Sequence, residues 1–364
     1  MPIPATTKNL SGLTSGTAYE YRVTAIGDGT TYLDSDPSAV STFTTLIPLA
    51  VPTGLALTKT STTVTASWNA VTNATGYVVA WVSGNGTWTE ETVSGTTYTK
   101  AGCTQGTVYS FKVKAISSNT AYKASDFCTE VSTTTLIKLA TPAPTITKDT
   151  DSLTVSWAAI ANATGYNVSW KKGTGQYTEV AVTGTSFVKS DLAEGDTYTF
   201  KVQATSTNAA YEESEYSAEV TDSTQVTLGT PVPTIAKTTS SLVVTWPAIT
   251  NADGYTVAYK TGSGAYAEAQ VATNRYEATG LAEGVTMTFK VKATSTNAAY
   301  ANSPFSTEVS DTTQITLDTP TNVQVSNITE NSVTITWQSV DNASGYRIEY
   351  RRNGDTQWTS ADVN

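Results

Sequence analysis

The sequence predicts an all-β chain of tandem antiparallel β-sandwiches, arranged as a rod. Three observations predict it. A pattern repeats: Trp68, Trp157, Trp246 and Trp337 lie 89, 89 and 91 residues apart, and Gly-Tyr follows each nine residues later. Within a repeat the period is two, as in Leu153, Val155 and Trp157, or Tyr198, Phe200, Val202 and Ala204. The runs are short, rich in Thr, Val and Tyr, and separated by Gly, Asn, Asp and Ser clusters, with no sustained helical spacing.

Each unit opens at a joint, where Leu49, Leu139, Leu228 and Leu317 are followed three residues later by Pro52, Pro142, Pro231 and Pro320. The Trp-bearing strand comes next. The Gly-Tyr strand follows, at Gly76–Tyr77, Gly165–Tyr166, Gly254–Tyr255 and Gly345–Tyr346. The next landmark is Tyr19, Tyr109, Tyr198 or Met287, three residues after Gly16, Gly106, Gly195 or Gly284. Seven such strands in about 90 residues fit one sandwich. Three complete units result, 48–137, 138–226 and 227–315, flanked by a C-terminal half (1–47) and an N-terminal half (316–364).

These motifs resemble the fibronectin type III family, and the resemblance covers the whole chain. Its strand-B Trp matches Trp68, Trp157, Trp246 and Trp337, and its strand C matches Gly165-Tyr-Asn-Val-Ser-Trp170 and Gly254-Tyr-Thr-Val-Ala-Tyr259. Its Leu-x-x-Gly-x-x-Tyr corner matches Leu13, Gly16 and Tyr19, and Leu192, Gly195 and Tyr198. The resemblance implies an immunoglobulin-like sandwich, with strands A, B, C and C′ in 316–364 and E, F and G in 1–47. It implies that the corner Tyr buries its ring and bonds backbone upstream, a bond that Met287 cannot make. Low charge with abundant Thr, Ser, Tyr and Asn resembles the family's bacterial cell-surface and secreted arrays. Fold alone says little about function.

Composition narrows the classes. The net charge is −10, and the 21 Lys and Arg are scattered, which argues against nucleic acid or an anionic membrane as partner. No apolar run is long enough to span a bilayer. Met1-Pro-Ile-Pro-Ala lacks signal-peptide character, so an exported chain would have lost its signal or carried it elsewhere. There is no His, and no Ser or Thr has a visible activating partner. The expectation is a non-enzymatic protein without cofactor, extracellular or at the cell surface.

Several residues carry competing readings. Cys103 and Cys128 both fall in the first complete unit, which raises a candidate disulfide, but their expected places in the sandwich favour two separate thiols. Asp28, Asp34 and Asp36 have spacing suited to Ca²⁺, although a solvated loop suits them better. Trp88, Tyr177, Tyr266 and Trp358 recur after strand C, as a glycan platform or, more simply, as hairpin packing. Asn-x-Ser/Thr triplets at Asn73, Asn162 and Asn342 share one turn where Asn serves the geometry. The joints, such as Thr134-Thr-Leu-Ile-Lys-Leu-Ala-Thr-Pro142, are too short for flexible tethers.

The two ends look like halves of one domain. Trp81 to Tyr109, Trp170 to Tyr198 and Tyr259 to Met287 each span 28 residues, whereas Tyr350 to Tyr19 would span 33 were residue 364 followed by residue 1. The halves abut with nothing missing. Tyr19, Tyr21 and Val23 on one half, and Trp337, Tyr346 and Ile348 on the other, are the expected self-association residues. The expected partner is another copy, head to tail, or the same array continued covalently. The alternative is a spacer within a larger adhesin or secreted glycan-acting enzyme.

Overall fold

Alternation leaves each strand with one apolar face, and in the computed structural model of the chain those faces line sandwich cores. The structure describes residues 5–364. These divide into two compact units, one of residues 5–147, 154–188 and 198–221, the other of residues 148–153, 189–197 and 222–364. No helix forms among the described residues.

The first unit contains the head half repeat, the first complete repeat and most of the second. In the first complete repeat, strands A (Ala56–Lys59), B (Thr63–Ser67) and E (Thr97–Ala101) form one antiparallel sheet in the order A-B-E. Strands C′ (Thr89–Val93), C (Gly76–Ser83), F (Val108–Ile116) and G (Val131–Thr134) form the other. Val64, Val79, Phe111 and Val113 are fully buried between the sheets. The second complete repeat, through which the division runs, carries the same strands in the same chain order.

The second unit holds the third complete repeat and the tail half. The third repeat repeats both sheets, A-B-E over Thr234–Lys237, Ser241–Thr245 and Arg275–Thr279, and C′-C-F-G closing at Val309–Thr312. Met287 occupies the corner Tyr position and is buried there without a hydroxyl.

Two polar devices recur in these cores. The strand-C Tyr packs edge-on against the strand-B Trp, with ring centroids 5.4 Å apart for Trp68–Tyr77 and 5.2 Å for Trp246–Tyr255. Its hydroxyl accepts the Val71 N–H at 2.8 Å and the Ile249 N–H at 2.9 Å, so one side chain fills the core and fastens the B–C turn. In that turn Asn73, Asn162, Asn251 and Asn342 take φ of 65–67°, a conformation that Asn tolerates better than most residues.

The half repeats are thinner. The head forms strand F (Ala18–Tyr21) paired with strand G (Ser41–Thr44). The strand E expected in residues 1–47 does not form among the described residues. In a complete repeat strand E pairs with strand B, as Thr63–Ser67 does with Thr97–Ala101, and the head has no strand B. For the same reason its strand F is ordered as four residues rather than nine, because strand C normally supports the rest. The tail pairs A (Gln324–Ser326) with B (Thr334–Thr336), and C (Tyr346–Tyr350) with C′ (Thr359–Val363).

Candidate functional site

The candidate site is the pair of core faces that the two half repeats leave open. The corner Tyr aligns Tyr19-Glu-Tyr-Arg-Val-Thr-Ala25 with Tyr109-Ser-Phe-Lys-Val-Lys-Ala115 without a gap. Phe111 and Val113 are 0% exposed, whereas their counterparts Tyr21 and Val23 are 47% and 66% exposed. Tyr19 keeps its place: its hydroxyl accepts the Thr14 N–H at 2.8 Å and its ring stacks on Phe43 at 5.6 Å. An open hollow lined by Leu10, Leu13, Tyr21, Val23 and Phe43 covers this face.

In the tail, Trp337 and Tyr346 reproduce the core pair at 5.1 Å, and the Tyr346 hydroxyl accepts the Val340 N–H at 2.7 Å. Both rings and Ile348 are only half buried. Val333 occupies the place of Leu242, which is fully buried, and is itself largely exposed. Tyr19, Tyr21 and Val23 thus lie in the head, and Trp337, Tyr346 and Ile348 in the tail.

The joints show what a completed neighbour does. Ile47–Pro48 pairs in parallel with Tyr122–Lys123 of the repeat that it enters, and Leu49 N–H donates to the Lys123 carbonyl at 3.0 Å. Ile137–Lys138 and Val226–Thr227 pair likewise with Tyr211–Glu212 and Tyr300–Ala301. The preceding repeat grips the same segment from behind. Gln105 Oε1 accepts the Lys138 N–H at 2.9 Å, and Glu194 and Glu283 accept from the backbone and hydroxyl of Thr227 and Thr316. These bonds hold both carboxyls below the usual glutamate range. Glu212 adds a bond across the first-to-second joint, accepting the Ser61 N–H at 2.6 Å.

At the tail this pattern stops halfway. Leu49, Leu139 and Leu228 are buried at their joints, but Leu317 is 49% exposed, because the tail has no F–G loop to cover it. The head has the converse gap. Its F–G loop carries Tyr32 and Leu33, both largely exposed, with no joint strand against them.

Other sequence candidates resolve differently. Cys103 and Cys128 are not bonded to each other: of the two readings, the candidate disulfide is absent and the two thiols are separate. Cys103 Sγ donates to the Lys100 carbonyl at 3.3 Å. Cys128 Sγ accepts the Val113 N–H at 3.3 Å, the role that Ser217 and Ser306 Oγ fill at 3.0 Å for Val202 and Val291. Each sulfur is thus committed to a different backbone partner.

Asp28 Oδ1 accepts the N–H groups of Thr30, Thr31 and Tyr32 at 2.7–2.9 Å, which holds its carboxyl far below the usual range. It builds its own turn, and no cluster of metal-ligating side chains occurs among the described residues. The recurring aromatics are stacked by cations: Lys112 lies over Trp88 at 4.2 Å, Lys201 over Tyr177 and Lys290 over Tyr266 at 4.3 Å, and Arg351 over Trp358 at 4.4 Å.

The model of the fibronectin type III domain matches residues 50–130, 142–220 and 318–364, more than half of the chain. The chain belongs to the fibronectin type III family. The third complete repeat lies outside these matches but builds the same two fibronectin type III sheets. Chitinase A1 of Niallia circulans is 37% identical over 155 residues, covering 40% of this chain and 22% of that protein. The mouse fibronectin type III domain-containing protein 7 is 31% identical over 157 residues, covering 42% and 20%. The chain therefore spans about a fifth of the length of these relatives. The chicken CNTN1 FN1–FN3 domains superimpose with TM-score 0.39 at 18% identity, covering 74% of this chain and all of that one.

Proposed function

We propose that this tandem fibronectin type III array is a non-enzymatic extracellular structural protein whose half repeats complete one another head to tail between copies. The observation that carries the reading is the open core face of the head. Tyr21 and Val23 stand exposed where Phe111 and Val113 are fully buried, and the tail offers Val333, Trp337, Tyr346 and Ile348 as the missing wall. Neither half can bury a two-sheet core alone. A head-to-tail contact that does not close on itself extends into a filament.

Light scattering of the chain across concentration tests the proposal. Mass should rise with concentration, and Val23→Asp should abolish the rise without lowering the unfolding temperature of the complete repeats. A second reading, favoured by the chitinase A1 match, is a spacer array within a larger secreted protein. A chain monomeric at every concentration, with Val23→Asp indistinguishable from wild type, would select the spacer and sink the filament.

A further inference from the structure

The complete repeats fix which residues of strands C and F face each other. Tyr77 lies opposite Ala115, Ala80 opposite Lys112, and Val82 opposite Ser110. The second and third repeats keep this register, with Ser169 opposite Lys201 and Lys171 opposite Thr199, then Ala258 opposite Lys290 and Lys260 opposite Thr288. At these two positions a cation faces a small neutral residue, except that Val82 faces Ser110 in the first repeat. No ion pair crosses these two positions.

The same register can be carried onto the half repeats, because both strands align without a gap. Tyr346 takes the place of Tyr77, and Ala25 that of Ala115. Glu349 then falls opposite Arg22, and Arg351 opposite Glu20. Both positions become opposite-charge pairs, of reversed polarity, on the solvent face of the sheet. All four residues are exposed in the separate halves.

We propose that Glu20, Arg22, Glu349 and Arg351 form a reciprocal charge lock that sets the register and partner choice of head-to-tail docking between two copies of this chain. The inference rests on the completion reading above. Slippage is where the lock acts. A one-residue slip turns every apolar side chain to the wrong face, and the core already forbids it. A two-residue slip preserves the apolar faces, so another device must reject it. Sliding one way sets Glu349 against Glu20 and Arg347 against Arg22; sliding the other way sets Arg351 against Arg22. Like charges directly opposite destabilise a strand pair, so both slips are penalised and only one register is favoured. Arg347 is already engaged by Asp362, through bonds of 2.7 and 3.0 Å.

A stacking contact fits the same register. Lys112 reaches over the ring of Trp88, just before strand C′, and Arg22 in the docked position would reach Trp358, which Arg351 already covers from just beyond strand C. The second and third complete repeats hold this double arrangement, with Lys171 and Lys201 both over Tyr177 and Lys260 and Lys290 both over Tyr266.

Full-length charge-swap chains provide the test. One variant carries Glu20→Arg and Arg22→Glu, the other Glu349→Arg and Arg351→Glu. Each alone should self-associate roughly tenfold more weakly than wild type or worse, since two opposed pairs become repulsive. An equimolar mixture should assemble again, because swapped heads meet swapped tails and native heads meet native tails. Wild-type assembly with both variants unimpaired, or impaired variants that stay apart on mixing, would overturn the lock and leave completion standing. A wild-type chain monomeric throughout would overturn both.

Discussion

Ile137 lies directly over Gly106: a Cβ built on that glycine would meet Ile137 Cγ1 and Cδ1 at 3.3 Å. The pair joins the end of one repeat to its own E–F corner, just where the chain leaves for the next. Gly106 has φ +65°, so it is held both by conformation and by closeness. Ile47 covers Gly16 and Ile315 covers Gly284 in the same way.

Gly106→Ala should therefore destabilise the first complete repeat by about 1–2 kcal/mol, the cost of a left-handed L-residue, before any displacement of Ile137. Denaturant unfolding would measure it. A loss within a few tenths of a kcal/mol would show that the corner relaxes freely.

The corner hydroxyl permits an internal comparison. Tyr109 OH accepts the Thr104 N–H at 3.0 Å, whereas Met287 fills the equivalent place with no such acceptor. Tyr109→Phe should cost about 1–3 kcal/mol, because it strands a backbone donor beside a filled core. Met287→Phe should change stability by less than about 1.5 kcal/mol, as a swap between apolar side chains of similar volume. Equal losses at the two sites would mean that the hydroxyl bond contributes nothing measurable.

Much of this was legible in the sequence, for a physical reason. Burial on one face imposes period two, and the Trp68 and Tyr77 anchors recur because one packs on the other. The repeat and the sandwich follow from that periodicity. Strand E of the head was expected and does not form among the described residues, because a strand is a property of two segments and strand E pairs with a strand B in the complete repeats. Less legible were the serines before strand G. Ser125 and Ser214 Oγ accept the Ala115 and Ala204 N–H groups and donate to the carbonyls of Asp126 and Glu215. Their only signal was Ser at a fixed spacing before strand G in every repeat, three residues ahead of a second Ser or Cys. The joints were legible as short; Gln105, Glu194 and Glu283 recur 89 residues apart, each just before the corner glycine, but their spacing alone does not say that they reach forward to the joint backbone.

Cys128 should behave as a serine substitute rather than half of a cystine. Its Sγ accepts the Val113 N–H at 3.3 Å where Ser217 Oγ accepts at 3.0 Å, and oxygen is the better acceptor. Cys128→Ser should leave stability unchanged or raise it by up to about 1 kcal/mol. The unfolding temperature of the wild-type chain should be the same with and without reductant. A drop on reduction would reveal a bond between Cys103 and Cys128 that the structure does not have.

Acid should loosen the grips on the Thr227 and Thr316 amides and spare the grip on the Lys138 amide. Glu194 and Glu283 are held below their ordinary value of 4.5, chiefly by the hydroxyls and then the backbone N–H groups of Thr227 and Thr316. A carboxyl whose value falls on folding lends its contribution fully above the unfolded value, and loses it as pH drops through the lower folded value. The grip on Thr227 and Thr316 is therefore complete at neutral pH and fades below the ordinary glutamate range. Gln105 makes the equivalent bond to Lys138 N–H with an amide that does not titrate. Amide protection factors at about pH 6 and about pH 3 should fall at Thr227 and Thr316 but hold at Lys138. Parallel behaviour at all three amides would show that the carboxylates are not what closes the joints. Glu194→Gln should then mark the difference, by giving Thr227 the acid-insensitive protection of Lys138.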